Sequence, residues 1–402
     1  MTYLLTDSDM EITLDSNTFL WMNDDTALLY NAALGRTKTI ILSDTIREIL
    51  DVLSRPESLY SVNVMGYGVD PGITSFVNMI VSEQFGTITC SDKHKISVPP
   101  KVRIIHDVAN KAFMKSIDID NDRILSYLSS LTFFVGGYSK HPEYYKQILY
   151  PVMTRNELSP RIIFGYVRKV CVQTINELNL VFSSSSEHIE DYVKSLSEFK
   201  EKLNLYFPFD VSADSVQTVI CEVHNVTIIC EMEELLHPSH RKKIDDLLAL
   251  GCHMAAIIRS YGEFDFFDDI RKQVGPDAID LIPVYDDNDE FFMQAVFLSA
   301  EDINNIKISK REIFIHQKVN PNFFGKIAVF PDLSVVANGF SKQKWSINDS
   351  IYDIIKDELL KGDSWLDTRK NDPCDSCLHQ WLCPSPSVYE KAMNRNNACN
   401  FR

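Results

Sequence analysis

The sequence predicts an α/β protein built on a parallel sheet, with a small α+β unit before it and a cysteine-bearing segment after it. Three observations carry this expectation. Between residues 130 and 310, six short apolar runs alternate with helical patterns, and strands joined by right-handed helical crossovers lie parallel. The first ninety or so residues hold β-prone runs interleaved with amphipathic helices. The last thirty-odd residues gather four of the chain's nine cysteines: Cys374, Cys377, Cys383 and Cys399.

In chain order, "NTFLWM" and "ALLYNA" read as strands about the turn Asn23-Asp24-Asp25-Thr26, and "RTKTIIL" as a third. Ser43 caps a helix whose apolar face is Ile46, Ile49, Leu50 and Leu53. Asp70-Pro71 opens a second helix with Ile73, Phe76, Val77, Ile80 and Val81 on one face. "SLYSVNVM" is a short strand between them, and "GTITCS" closes a winged-helix-like unit over residues 1–92. Residues 93–129, broken by Pro99-Pro100, read as a linker. Within it "DIDND" is not a calcium loop, because Arg123 and Ser129 stand where that loop needs its glycine and its bidentate glutamate.

Over 130–310 the strands are "SLTFFV", "LNLVFS", "LNLYFPF", "NVTIIC", "HMAAII" and "IDLIPV". The helices between them are "ELSPRIIFGYVRKVCVQ", 187–203, one around Ile244, Leu247 and Leu248, and one around Phe264, Phe267, Ile270 and Val274. An open or closed (β/α) barrel is the form this pattern predicts. From 311 to 402, "REIFIHQ", a hairpin about Pro331-Asp332 and the amphipathic "DSIYDIIKDELLKG" lead into the cysteines.

Composition narrows the function classes. A formal charge of −16 argues against nucleic acid as partner, since phosphates need a basic field. No apolar stretch reaches membrane-spanning length, and the N-terminal residues lack a signal-peptide pattern, so the expected location is the cytoplasm. Clustered cysteines there point to metal or redox chemistry rather than disulfides.

C-x2-C sets two thiolates across a tight turn, and Cys383 and Cys399 would complete an S4 site. Spacing alone leaves zinc and an iron–sulfur cluster both open. Cys90, Cys171, Cys221, Cys230 and Cys252 fall singly in apolar segments and read as buried structural thiols. Trp365, Trp381 and Tyr389 are expected to cover the metal site. His237 and His240 lack a third ligand and read as a surface pair. Ser183 to Ser186 lack a nucleophile-elbow context and read as a polar loop. The acidic run Asp286, Asp287, Asp289 and Glu290 falls at the end of the sixth strand, where barrel sites sit, although such runs are usually solvated.

C-x2-C-x5-C after a hairpin and a helix, C-terminal to a (β/α) barrel, resembles the SPASM domain of radical SAM peptide-modifying enzymes. By that resemblance the four cysteines match the ligands of a second auxiliary [4Fe–4S] cluster. The ligands of the first are missing: Ser387 stands at one position and Asn338-Gly339 at another. The loop after the first barrel strand, "GGYSKHPEYYKQILYPVMTRN", holds no cysteine, so the C-x3-C-x2-C that a SAM-cleaving cluster needs is absent. "SSSSE" replaces the glycine-rich turn after the second strand. The whole resembles the pseudo-radical-SAM/SPASM family of Gly-Gly-leader peptide (RiPP) systems, most strongly over "LLYNAALGRTKTIILSDTIREIL" and "DPCDSCLHQWLCPSPSVYE". The first 92 residues resemble a RiPP recognition element.

The resemblance implies a degenerate radical-SAM-like partial (β/α)6 barrel and a non-catalytic protein that binds a ribosomal precursor peptide and assists its maturation. It would carry one [4Fe–4S] cluster, or zinc, and no SAM. Peptide would add to the edge strand "RTKTIIL", whose residues Arg36, Lys38 and Ile40 share a face. Two alternatives stay open. One is a peptide-modifying enzyme, or an electron-transfer partner of a maturase using the retained cluster. The other, a winged-helix transcriptional regulator, is disfavoured by the acidic charge.

Overall fold

The computed structural model describes residues 10–67, 70–90, 122–170, 175–223, 225–275 and 278–400. Residues 93–121 of the expected linker, all of "DIDND" but Asp122, and Cys171 lie outside the described residues. Residues 122–129 are not linker: a short helix (Asp122–Leu125) and the turn after it bury Ile124, Leu125 and Leu128 in the main core.

The N-terminal part holds two antiparallel three-stranded sheets. One is ordered β5-β1-β6, from β1 (Met10–Leu14), β5 (Ser61–Asn63) and β6 (Gly86–Cys90). The other is β2-β3-β4, from β2 (Thr18–Met22), β3 (Thr26–Asn31) and β4 (Arg36–Ile41). Helices α1 (Asp44–Ser54) and α2 (Pro71–Ser82) complete a common core that includes Ile12, Leu29, Ile49, Leu50, Phe76 and Ile80. Ser43 caps α1 as the sequence predicts, accepting from the Ile46 N–H at 3.3 Å, and α2 opens at Pro71 as expected, where Asp70 accepts from the Gly72 N–H at 2.5 Å. Each satisfies an amide that the first helical turn would otherwise leave open.

The large sheet has nine strands in the order β12-β11-β10-β9-β8-β7-β13-β14-β15. Six of them are the predicted runs: β7 (Ser130–Gly136), β8 (Glu177–Phe182), β9 (Leu203–Pro208), β10 (Asn225–Glu231), β11 (His253–Ile258) and β12 (Ile279–Pro283). All pair in parallel. The sheet continues past residue 310, because β13 (Lys326–Val329) pairs in parallel with β7. β14 (Ser334–Val336) and β15 (Trp345–Ser346) then return antiparallel. The strand order runs from β12 to β15 without closing on itself among the described residues. Gly325 lets β13 enter: its φ is +76°, and an added Cβ would lie 2.6 Å from the Tyr127 carbonyl oxygen.

One face of this sheet is covered by α3 (Pro160–Val170), α4 (Ile189–Ser195), α5 (Ala213–Ile220), α6 (Met232–Leu236), α7 (Arg241–Ala249) and α8 (Tyr261–Val274). Their apolar stripes meet Leu131, Phe133, Leu180, Phe207, Ile228 and Met254 in the main core. The sequence reading did not anticipate α5. The opposite face differs at its two ends. Near the strand starts, an amide ladder crosses it: Asn225 donates to Asn204 at 2.9 Å, Asn204 to Asn179 at 2.8 Å, and Asn179 to Thr132 at 3.2 Å. Near the strand ends, the loop 137–154 folds back on the sheet and packs Tyr144, Ile148 and Tyr150 against Ile229, Ala255, Ile257 and Val284.

Four further helices, α9 (Ala300–Asn305), α10 (Lys310–His316), α11 (Ile351–Lys361) and α12 (Val388–Ala392), lie in the C-terminal part. No helix among the described residues is long and apolar enough to cross a membrane.

Candidate functional site

The cysteine segment has little regular structure and is held by side chains. Asn371 C=O accepts from the Cys374 N–H at 2.8 Å, Cys374 C=O from Cys377 at 3.2 Å, and His379 C=O from Cys383 at 2.9 Å. These tight turns fix the backbone about Cys374, Cys377 and Cys383. Cys399 arrives separately, on a strand-like segment bridged to Leu298, where Leu298 N–H donates to Ala398 at 3.1 Å and Asn400 N–H to Leu298 at 3.2 Å.

All four cysteines line a single cavity of about 460 Å³. Its other walls include Arg369, His379, Leu298, Ile303 and Leu378, together with Asn23, Thr26 and Thr39 from the N-terminal sheet. Among the described residues, no three His, Cys, Asp or Glu side chains stand close enough together to hold a metal ion as placed. The donor set nevertheless fits a thiophilic centre, with four cysteines lining one cavity far larger than the ~30 Å³ share of a water molecule.

Arg369 organises the segment. It is buried, with its guanidinium paired to Glu390 at 2.7 and 3.4 Å. It also donates to the Pro384 carbonyl, and its Nη1 lies 3.8 Å from the Cys374 Sγ. Its own carbonyl accepts from the Gln380 side chain. One residue thus ties together the stretches bearing Cys374, Cys377 and Cys383 and the first turn of α12. Burial raises the Cys374 and Cys377 thiols above their ordinary pKa and pushes Cys383 up to about 12, with Arg369 pulling each downward. Metal binding at these groups would release protons.

The three aromatic residues expected over the cysteines do other work. Trp365 is fully buried in the main core against Phe324, and its indole N–H donates to the Lys326 carbonyl of β13 at 3.1 Å. Tyr389 packs on Phe292. Trp381 belongs to the cluster beneath the N-terminal sheet. None lines the cavity, whose apolar walls come instead from aliphatic residues too scattered in sequence to show a pattern. Of the single cysteines, Cys230 and Cys252 are buried as expected, whereas Cys221 is exposed, because it follows α5 on the solvent side.

β4 is an edge strand. Arg36, Lys38 and Ile40 do face one way, towards the module's own core and α2. Ile40 packs on that core, Lys38 Nζ pairs with Glu83 at 2.8 Å, and Arg36 donates to the Glu83 carbonyl at 3.0 Å. The alternate residues face the cysteine side: Thr39 lines the cavity, and Thr37 donates to the Asn304 carbonyl at 3.4 Å. The two basic side chains that could attract an acidic peptide are thus already engaged by residue 83.

At the C-terminal ends of the parallel strands lies an ionisable cluster that the sequence reading missed. Glu231 ends β10 and is 8% exposed. Arg259 Nη2 pairs with one of its oxygens at 3.0 Å and His141 Nε2 lies 3.2 Å from the other, with angles that leave both oxygens without an aligned hydrogen bond. Lys140 pairs with Glu234 at 2.6 Å, Arg259 donates to Tyr144 at 3.2 Å, and Gln147 exchanges two hydrogen bonds with Tyr285 at 2.8 and 2.9 Å. These contacts fasten the loop 137–154 over the strand ends. Burial pushes Glu231 up to about 7, against the pull of Arg259. It lowers His141, with Arg259 adding to the effect. The acidic run is largely solvated, except that Asp286 approaches the Tyr144 hydroxyl at 3.4 Å. His237 and His240 sit at the surface with rings 5.0 Å apart, each bonded locally. Ser183, Ser185 and Ser186 hydrogen-bond one another.

No family model matches the chain, and no curated protein matches it. Among solved structures, it is similar to Streptococcus suis SuiB bound to precursor peptide SuiA, with a TM-score of 0.48 and 12% identity over 97% of this chain and 99% of that one. It is also similar to Streptococcus suis SuiB bound to S-adenosylmethionine, with a TM-score of 0.42 and 11% identity over the same shares.

Two buried carboxyls set an expected pH dependence. Glu358, fully buried in α11, is also pushed up to about 7 by burial. A carboxyl whose folded pKa exceeds its unfolded one favours the folded state most at low pH, and that contribution falls as pH rises towards 7. Unfolding by urea should therefore show a component lost between about pH 5 and pH 8, of ~1–3 kcal/mol per group. Glu231→Gln and Glu358→Gln should each flatten it; an unchanged slope in both variants would contradict the assignment.

Proposed function

We propose that this protein is a non-catalytic pseudo-radical-SAM/SPASM protein that binds a ribosomal precursor peptide through its N-terminal module and carries one metal centre at Cys374, Cys377, Cys383 and Cys399. The observation that carries the reading is that all four cysteines line one cavity, although fifteen residues separate the fourth from the third. A [4Fe–4S] cluster is the reading that the SPASM resemblance favours, and zinc is the alternative that four thiolates also accommodate. When bound, such a centre supplies structural cross-linking and a site for one electron. Arg369 would donate towards the Cys374 sulfur and hold the stretches carrying three of the ligands. The apolar walls would exclude water.

Two observations support the absence of SAM chemistry. The loop 137–154 offers no thiol, and its aromatic side chains occupy the strand-end face of the sheet. Peptide capture is assigned to the β4 edge, where a strand could add by backbone hydrogen bonds.

Protein purified anaerobically should contain iron and sulfide, and Cys377→Ala should lose both. One tightly held zinc would replace the cluster while keeping the site, and metal-free wild-type protein would defeat the metal assignment.

The same iron-loaded protein, incubated with S-adenosylmethionine and dithionite, should yield no 5′-deoxyadenosine above a Cys374→Ala control. Product above that control would make the protein an enzyme.

Titration of the full-length protein with leader peptides encoded beside its gene tests capture. Because Glu83 competes for Lys38, Glu83→Gln should tighten binding of an acidic leader and Lys38→Glu should weaken it, each by roughly fivefold at low salt and less at high salt. Indifference to both substitutions would move recognition away from β4.

A further inference from the structure

The peptide-capture sheet and the cysteine cavity are two sides of one structure. β2 and β3 carry apolar side chains on both faces. Leu20, Met22, Ala27 and Leu29 enter the module core, whereas Phe19, Trp21, Leu28 and Tyr30 point the other way, onto Ile313 and Phe314 of α10 and onto Leu378, Trp381 and Leu382 of the cysteine segment. Phe19 meets Phe314 edge-on at 5.7 Å. The Tyr30 hydroxyl is held twice by residue 308, donating to its carbonyl at 2.7 Å and accepting from its N–H at 2.7 Å. Lys310 donates to the Ser16 carbonyl at 2.8 Å. Beyond this contact, Asn23, Thr26 and Thr39 of the sheet form part of the wall of the cavity that the thiols line.

We propose that metal loading at the four cysteines and the ordering of the β2–β3–β4 sheet are thermodynamically linked, so that the metal-loaded protein presents the β4 edge in its binding form and the metal-free protein does not. The inference rests on the metal assignment above and adds a regulation to it. A bound centre fixes Cys374, Cys377 and Cys383, and with them Leu378 and Leu382, which are the floor on which Phe19, Leu28 and Tyr30 rest. Without the centre these turns keep their backbone hydrogen bonds, Arg369, a few side-chain bonds such as those of Asn320 and Asn396, and their packing on the sheet, but no bond joins the three sulfurs to one another. A floor that loosens frees one whole face of the sheet. Linkage is reciprocal, so loosening the sheet must also weaken metal retention.

Hydrogen exchange on full-length protein tests this, comparing the iron-loaded form with the same preparation stripped by a chelator. Segments covering 18–41 should exchange about tenfold faster after stripping, while 177–208, in the middle of the large sheet, should not change. Cys383→Ser should reproduce the stripped pattern. Phe314→Ala, which alters neither a thiol nor the module core, should speed exchange over 18–41 and raise the rate of iron loss to a chelator. Wild-type protein that holds iron yet exchanges identically over 18–41 with and without it would overturn the linkage and leave the metal assignment standing. Wild-type protein that takes up no metal would overturn both.

Discussion

A three-stranded sheet with apolar side chains on both faces cannot stand alone in water, and that constraint joins the two ends of this chain. The module core covers one face of β2–β3–β4, while α10 and the cysteine segment cover the other. Burial on both sides explains why "TFLWM" and "TALLYN" are near-continuous apolar runs instead of alternating ones. It also explains how a segment as poor in regular structure as 371–387 keeps a defined shape: it is clamped between that sheet and the Arg369–Glu390 pair. Such a pair contributes less through its own strength than through the cost of breaking it, since a buried charge left alone is strongly unfavourable.

The parallel strands were legible because each is short, apolar and bounded by turn residues, and both helix starts in the module followed from Ser43 and from Asp70-Pro71. Other features were hidden for physical reasons. β1 has only three alternating apolar residues, Met10, Ile12 and Leu14, and becomes a strand because two partners flank it. The continuation of the large sheet through β13 could not be read, since a hairpin gives no sign of which edge it will join. The cysteines announced themselves by spacing, but their neighbours did not. Arg369 looks like any surface arginine until Glu390 is folded against it. Trp365 and Tyr389, close in sequence to the cysteines, were drawn into the main core instead, where large aromatic area is buried most completely.

The strand ends show how the same architecture can serve opposite purposes. In α/β sheets this rim is the usual place for ligands, and the chemistry found here, with Glu231, Arg259, His141 and Tyr144 in mutual contact, would suit a site. The partners of these groups are nonetheless one another and the loop 137–154. Gly137, with φ +111° and Ser183 so close that an added Cβ would lie 2.0 Å from its hydroxyl, lets the chain turn back immediately after β7. Polar groups that could recognise a ligand instead fasten a cover.

The amide ladder at the other end of that face has a different significance. Asn179, Asn204 and Asn225 stand in register on adjacent strands, each side-chain amide answering the next. Shifting one strand by a residue would break two rungs at once, so the row works as an alignment key for a parallel sheet whose apolar strands could otherwise slide. Such a key constrains how the sequence can drift. An aliphatic side chain at position 204 would leave the Asn179 carbonyl oxygen and the Asn225 amide nitrogen without these partners, whereas replacing the whole row together would remove polar groups and their partners alike. A change at one of the three positions is therefore offset only by changes at the others.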